Sequence, residues 1–430
     1  MMKGSQHMDF AFSDRSVELQ GRVRRFMQDY VLPHEHAYHA DVSNGIYPPQ
    51  VVEDLKALAK DEGLWNFFLP ALPKDAPGTG LSNLEYAPLA EIMGRVYWAS
   101  EVFNCNAPDT GNMELLHLFA TPAQKERWLK PLFEGEIRSC FMMTEPDVAS
   151  SDATNIQFSI RRDGDEYVLD GRKWFITNAL DPRAKLGIVL GVTDPDGPRH
   201  KQHTQVMFPM DTPGIEIERN ISYMNHLAPE GTCEVVFRGV RVGVENLLGE
   251  EGAGFALAQA RLGPGRIHHC MRSIGQCEVA LDLMCQRALE RRAFGKYLHE
   301  YGNIGDWIAK ARIDIEQARL LVLKTAWLID QKGNREARRE ISMITALVPP
   351  LQTEIVNRAI QVFGAMGLSP DTPLPYLWSW GRALQILDGP DEVHLRAVAH
   401  QEIKRAQEER GNSIIPEGYR QSRFTPPRAE

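Results

Sequence analysis

Apolar residues recur at spacings near three and four from the start of the chain, at Val17, Leu19, Val23, Phe26, Met27 and Val31, before Pro33 closes the run. That period predicts an amphipathic helix. Residues 49–58, 86–94, 113–119 and 122–132 repeat the pattern between Gly and Pro breaks such as 75–80, so several helices should pack together over residues 9–139. Near Cys140 the period shortens. Asp163-Gly164 separates two runs rich in Phe, Ile, Tyr and Val, a hairpin signal, and the short β-branched runs at 188–192, 204–208, 215–218 and 233–237 follow. A β domain is expected over 140–250. After Gly254 the helical spacing returns, clearest in Ile304, Trp307, Ile308, Ala311, Ile315, Ala318, Val322 and Ile329. Stripes this long need a four-helix bundle or a subunit interface to cover them, and the bundle is expected over 251–410, with a charged, Pro-rich tail at 411–430. The expected class is α+β, in the order helices, β, helices.

The length of 430 residues suggests two to four packed units, and an apolar share of 43% is enough for a sizeable core. The net charge of -9 gives no global field to draw in a polyanion, so nucleic acid is not an expected partner. An anionic ligand must instead be held by local arginines and backbone N–H groups. The six cysteines form no CxxC pair, which fits buried thiols in a reducing compartment. No apolar run approaches a membrane span, and no basic segment leads into an apolar one at the start, so a soluble, cytoplasmic protein is expected. The opening MMKGSQHM reads partly as an expression scar, and the final RAE is no peroxisomal signal. His34, His36 and His39 stand without a cysteine or carboxylate pattern, so no metal site is expected. His268 and His269 are candidates for substrate contact.

Two segments carry candidate chemistry. The first, FMMTEPDVASSD at 141–152, supplies Thr144, Ser150, Ser151 and adjoining N–H groups, which can hold a flavin edge and a pyrophosphate without net positive charge. It reads equally as a polar loop between domains. The second, GRKWFITN at 171–178, lies on a strand whose alternation puts Trp174 and Phe175 on opposite faces. One ring would stack on a planar cofactor and the other enter the core, with Thr177 on the face of Phe175. A buried aromatic strand is the plainer alternative.

The TEP segment, GRKWFITN, RRAFGK, QVFGAMG and ILDGPDEVH follow one another in an order that closely resembles the acyl-CoA dehydrogenase family. The form TEPDVASSDATN resembles the branch that includes kinase-fused members, although this chain has no kinase portion. The resemblance implies a helical N-terminal domain, a β-barrel-like middle domain and a C-terminal four-helix bundle, with FAD held between them. It implies that Phe141, Thr144 and Ser151 line the flavin and phosphates, Ser151 also near the CoA portion. Phe175 would stack near the flavin, where relatives often carry Trp, and Thr177 would bond its N5 region. Arg291 and Phe294 would reach a neighbouring subunit's FAD pyrophosphate, through the planar fork of donors that Arg provides. Gln361 and Gly364 would meet the adenosine of that same FAD, with Gly367 nearby. Taken locally, the first of these is a solvated helix end and the second a close helix packing.

The family's base corresponds to Asp388, one methylene shorter than the usual glutamate; its local alternative is a capping aspartate ahead of Gly-Pro. Gly389 follows with room for ligand. A second base position used by some members falls on Gly265, which has no side chain to serve, and Arg266 beside it would tune the base or polarise the site. Pro390 and Glu392 stand where relatives often carry Thr and Gln against FAD. The reaction so implied is α,β-dehydrogenation of an acyl-CoA to a trans-2-enoyl-CoA, with electrons passed to an electron-transfer flavoprotein by a homodimer or homotetramer. The rivals are a flavin oxidase of the same fold, acting on acyl-CoA or a nitroalkane, and a non-catalytic flavin-binding protein.

Overall fold

The computed structural model describes residues 11–69 and 79–408, without the side chains of 259–264. The tail expected at 411–430 lies outside the described residues, as do 9–10 and most of the 75–80 break.

The N-terminal helices are α1 (Asp14–Phe26), α2 (Glu35–Ser43), α3 (Gln50–Asp61), α4 (Asn83–Gly94), α5 (Ala99–Val102) and α6 (Asp109–Phe119), then the short turns α7 (Pro122–Gln124) and α8 (Lys130–Phe133). The periodicity of the first helix holds at Leu19, Val23, Phe26, Met27 and Val31, all buried, while Val17 is exposed. Local chemistry fixes the starts: Ser13 caps α1, and Ser82 with Glu85 makes a capping box on α4.

The strands are β1 (Arg138–Met142), β2 (Ser159–Asp163), β3 (Glu166–Thr177), β4 (Ala184–Val192), β5 (His203–Pro209), β6 (Ile215–Asn220), β7 (Thr232–Gly243) and β8 (Leu247–Leu248). They pair in the order β6-β7-β3-β2-β4-β5-β8, with β1 parallel to β4. The predicted hairpin joins β2 to β3 around Gly164, whose φ of 65° needs no Cβ. β2 and β4 share one pair, Ser159 with Val192, so two half-sheets wrap a core of Phe158, Tyr167, Leu190, Phe208 and Phe237.

Four long C-terminal elements follow: α9 (Gly254–Glu290), α10 (Gly302–Lys332), α11 (Arg338–Phe363) and α13 (Asp391–Glu408), with α12 (Leu374–Leu384) inserted before the last. A hairpin of β9 (Arg292–Ala293) and β10 (Lys296–Tyr297) joins α9 to α10. The α10 stripe is buried at Ile304, Ala311, Ile315, Ala318, Val322 and Ile329. α9 and α11 run parallel, since Cys270 meets Ile344, Gln276 meets Gln352 and the Arg287 guanidinium covers the Phe363 ring. α4 crosses α9 in backbone contact. A Cβ on Gly94 would fall 2.5 Å from the Arg272 Cα, and one on Gly275 would fall 2.2 Å from the Glu91 carbonyl oxygen. N- and C-terminal helices therefore share one core, and Phe141 packs against both it and the core of the sheet.

The seam between helices and sheet is polar, and its charges are paired. The buried Arg138 guanidinium meets Glu101 at 2.7 Å, Asp109 at 2.8 Å and Asp181 at 3.4 Å, which compensates the desolvation of all four groups.

Candidate active site

The sequence candidates fall into three groups in space. In the first, β1 runs into the loop that carries Thr144, and the Thr144 carbonyl accepts the Trp174 N–H at 3.0 Å. This places Phe141 and Thr144 beside the end of β3. The register of β3 against β7 shifts between Lys173 and Ile176, and Phe175 takes a left-handed φ of 54°. The bulge corrects the strict alternation expected from sequence. Trp174 and Phe175 do not part to opposite faces: their rings meet edge to face at 5.0 Å, Phe175 is 39% exposed and Trp174 half-buried. Neither ring is core. Lys173 and Ile176 take the inward positions instead. Thr177 is half-buried at the strand's end opposite Thr232, and Ser151 is exposed on the loop.

The loop is shaped by residues that sequence reasoning missed. Lys173, fully buried, donates to the Met143 carbonyl and to Glu145 Oε1, each at 2.8 Å. Glu145 also accepts the N–H groups of Gln157 at 2.8 Å and Phe158 at 2.9 Å, while its own N–H donates to Ser150 Oγ at 3.0 Å. Burial pulls the Lys173 ammonium down to about 8, against the pull of the Glu145 charge. The TEP and GRKW motifs are thus tied together from inside, leaving Thr144, the Trp174 indole and the Phe175 ring on the outer side. The Trp174 indole N–H is buried with no acceptor among the described residues. A flat aromatic surface, hydroxyls and an unused donor suit a planar polar heterocycle such as an isoalloxazine.

The second group surrounds Asp388. Two consecutive left-handed residues, Asp388 at φ 55° and Gly389 at φ 102°, turn the chain from α12 toward α13. The Asp388 carbonyl is held by Arg266 Nη2 at 3.1 Å and His394 Nε2 at 3.2 Å. Backbone anchoring is separate from the carboxylate, which is 33% exposed and has His269 Nε2 at 3.6 Å from Oδ2. It opens on a small cavity with His269, Cys270, Ser273, Thr345 and Leu384. Burial lowers the pKa of Arg266, opposed by the Asp388 charge, and its buried Nε has no partner among the described residues. Burial likewise lowers His394. Beside this cavity, a Cβ on Gly265 would meet nothing within 4 Å. His394 was hidden in the ILDGPDEVH motif, where its spacing from Asp388 was the available signal. Pro390 is half-buried and Glu392 exposed at the start of α13. His268 turns the other way, stacked on Tyr86 with its Nδ1 2.6 Å from the Tyr86 hydroxyl, and burial holds it well below the ordinary imidazole range.

The third group lies elsewhere. Arg291 caps α9 and is exposed, Phe294 stands fully exposed at a φ of 50°, and Gln361 and Gly364 are exposed at the end of α11. From Arg266 to Arg291 the helix rises on the order of 35 Å at about 1.5 Å per residue, so one protomer cannot bring this group to Asp388. Among the described residues no cluster of His, Cys, Asp and Glu could hold a metal ion, and no helix is long and apolar enough to cross a membrane.

Three family models match successive parts of the chain: the acyl-CoA dehydrogenase N-terminal domain at 13–136, the middle domain at 140–240 and the C-terminal domain at 252–403. Probable acyl-CoA dehydrogenase FadE2 of Mycobacterium tuberculosis is 51% identical over 93% of this chain and 98% of its own length. Acyl-CoA dehydrogenase family member 11 of Gallus gallus is 49% identical over 92% of this chain, which spans about half, 51%, of that longer protein. Among solved structures, butyryl-CoA dehydrogenase from Megasphaera elsdenii superposes with a TM-score of 0.78 at 28% identity, covering 92% of this chain and all of the other. The three matched regions coincide with the helical, sheet and helical parts described above, and the fold is that of this family of FAD-dependent oxidoreductases. Matched along all three of its parts and at 51% identity to a relative it covers almost entirely, the chain belongs to the acyl-CoA dehydrogenase family.

Proposed function

We propose that the protein removes the α-proton and β-hydride of an acyl-CoA thioester, giving a trans-2-enoyl-CoA, with Asp388 as the base. The observation that carries this is the division of labour at Asp388. Its carbonyl is fixed by Arg266 and His394, while its carboxylate stays open to the cavity beside His269. A carboxylate accepting several N–H groups would be a poor base, because each bond stabilises its ionised form. Among the described residues the Asp388 carboxylate has one group within ion-pair distance, the His269 imidazole. His269 orients the carboxylate toward the cavity, and the left-handed turn at Asp388-Gly389 directs backbone N–H groups where a thioester oxygen would sit.

FAD, when bound, supplies the hydride acceptor. Phe141, Thr144, Ser151, Phe175 and Thr177 are the residues we assign to hold it, with Pro390 and Glu392 contributing backbone, and the Glu145–Lys173 pair keeps the loop and strand in register. Arg291, Phe294, Gln361 and Gly364 are too far along α9 and α11 to serve the same protomer's site. We assign them to a neighbour's FAD, which requires a homodimer or homotetramer. Arg266 and Gly389 complete the substrate face. Electrons leave to an electron-transfer flavoprotein. All six cysteines are free, as a cytoplasmic location would have them.

The test is anaerobic addition of acyl-CoAs of increasing chain length to the FAD-loaded enzyme, followed by flavin absorbance, then aerobic measurement of peroxide. Bleaching without stoichiometric peroxide supports the dehydrogenase. No bleaching at any length, or peroxide formed from a nitroalkane but not from acyl-CoA, would overturn it.

A further inference from the structure

The cavity at Asp388 is also lined by Arg266, His269 and Cys270. His268 and Arg272 neighbour them along α9, and His394 approaches from α13. Most of these groups are engaged away from the carboxylate. Arg266 Nη2 and His394 Nε2 meet the Asp388 carbonyl at 3.1 and 3.2 Å. The Cys270 thiol donates to the Ile344 carbonyl at 3.6 Å, and burial raises its pKa, so it stays a thiol at neutral pH. Arg272 Nη2 donates to the Tyr97 carbonyl at 2.7 Å, and His268 Nδ1 lies 2.6 Å from the Tyr86 hydroxyl. His269 differs from all of them. Its Nε2 faces Asp388 Oδ2 at 3.6 Å, and its side chain is 20% exposed.

The two side chains stand on separate supports, His269 on α9 and Asp388 on the turn between α12 and α13. Their separation is too long for a settled hydrogen bond, and an approach of about 0.5–1 Å makes one. Proton removal from a substrate supplies the reason to approach. Once Asp388 holds the α-proton, its Oδ2–H is a donor, and an imidazole in the Nδ1–H tautomer presents Nε2 as the matching acceptor. In water an imidazole holds a proton about 400-fold more tightly than an aspartate carboxylate does. The proton therefore has a lower place to go.

We propose that His269 is a second proton acceptor: the α-proton taken by Asp388 Oδ2 passes to His269 Nε2, and the enolate forms beside a carboxylate–imidazolium pair. The α C–H bond breaks and leaves its electron pair in the enolate. An O–H bond forms at Oδ2 and breaks in turn, and an N–H bond forms at Nε2. The single negative charge is carried by the carboxylate before the step; afterwards the enolate carries it and the pair is neutral. This rests on the reading of Asp388 as the base and adds where the proton goes. A histidine that only orients Asp388 would instead donate from Nε2 throughout, so the direction of one hydrogen bond separates the two roles.

The test uses the FAD-loaded protein and 3-thiaoctanoyl-CoA, in which sulfur replaces the β-carbon, so that the probe can lose its α-proton but no hydride. Its enolate beside the flavin is read as a long-wavelength absorbance band, without turnover. His269→Gln keeps an amide N–H to orient the carboxylate and has no site for the proton. It should lower the ratio of enolate to thioester about tenfold or more. In the wild-type protein that ratio should hold level above about pH 6.5 and fall about tenfold per unit below, because the imidazole is then filled before the probe arrives. The wild-type profile needs no variant to fold. The step should be missing in His269→Gln. His268 and His394, which burial lowers, remain in that variant, so a step that persists there would overturn the proposal. A wild-type band with no step, or a full band in His269→Gln, would overturn it too and leave His269 an orienting role. A band that survives Asp388→Asn, or a bound probe that gives none in the wild type, would instead bring down the assignment of Asp388 as base, and this proposal with it.

Discussion

Glu145 and Asp388 are carboxylates in family motifs, each beside a basic side chain, and their surroundings are opposite. Glu145 accepts from Lys173 and from two backbone N–H groups, and Lys173 spends a further bond on the Met143 carbonyl. Asp388 has one imidazole at 3.6 Å, and the groups that could have saturated it, Arg266 and His394, bind its carbonyl instead. The first arrangement stores no capacity for reaction and fixes geometry. The second fixes the backbone and leaves the carboxylate open to the cavity, as the proposed base requires. Saturation, rather than mere burial or charge, separates the structural acid from the proposed base.

That contrast breaks first at Asp388. Asp388→Asn should lower the rate of flavin reduction by acyl-CoA about 10³-fold while FAD and thioester remain bound, as general-base loss does. Stopped-flow absorbance with a binding titration checks both halves. Glu145→Ala should do the reverse, costing about 3–5 kcal/mol of stability by leaving the Lys173 charge buried and unpaired. Thermal unfolding measures that loss, and Glu145→Leu with Lys173→Met should recover most of it. His269→Ala should reduce turnover roughly tenfold with little change in melting temperature, since His269 touches the carboxylate without carrying the fold.

The pH response is a smaller effect. His268 stays neutral when folded because burial lowers it, whereas the unfolded chain takes up that proton below the ordinary imidazole value. Below about pH 6.5 the unfolded state therefore binds more protons, and His268 should cost up to about 1.4 kcal/mol of stability per pH unit as the pH falls. Melting curves at pH 7 and 5.5 check this, and His268→Gln should flatten that part of the slope.

The helical and β periods were legible because burial acts on every third or second residue, and Asp388 was singled out as the candidate base because ILDGPDEVH keeps its motif order. What stayed hidden depended on contacts between distant segments. The Trp174-Phe175 alternation failed because a register shift against β7 breaks the period, and nothing within GRKWFITN announces it. Glu145 looked like any loop acid until Lys173 and the N–H groups of Gln157 and Phe158 closed on it.

Proton abstraction by residue 388 can be read without any electron transfer, by incubating a saturated acyl-CoA with the FAD-loaded protein in D2O and following label at the α-carbon by mass spectrometry. The wild-type protein should incorporate deuterium there and Asp388→Asn should not. Exchange at the wild-type rate in Asp388→Asn would show that another group removes the proton, and the account of this site would fail.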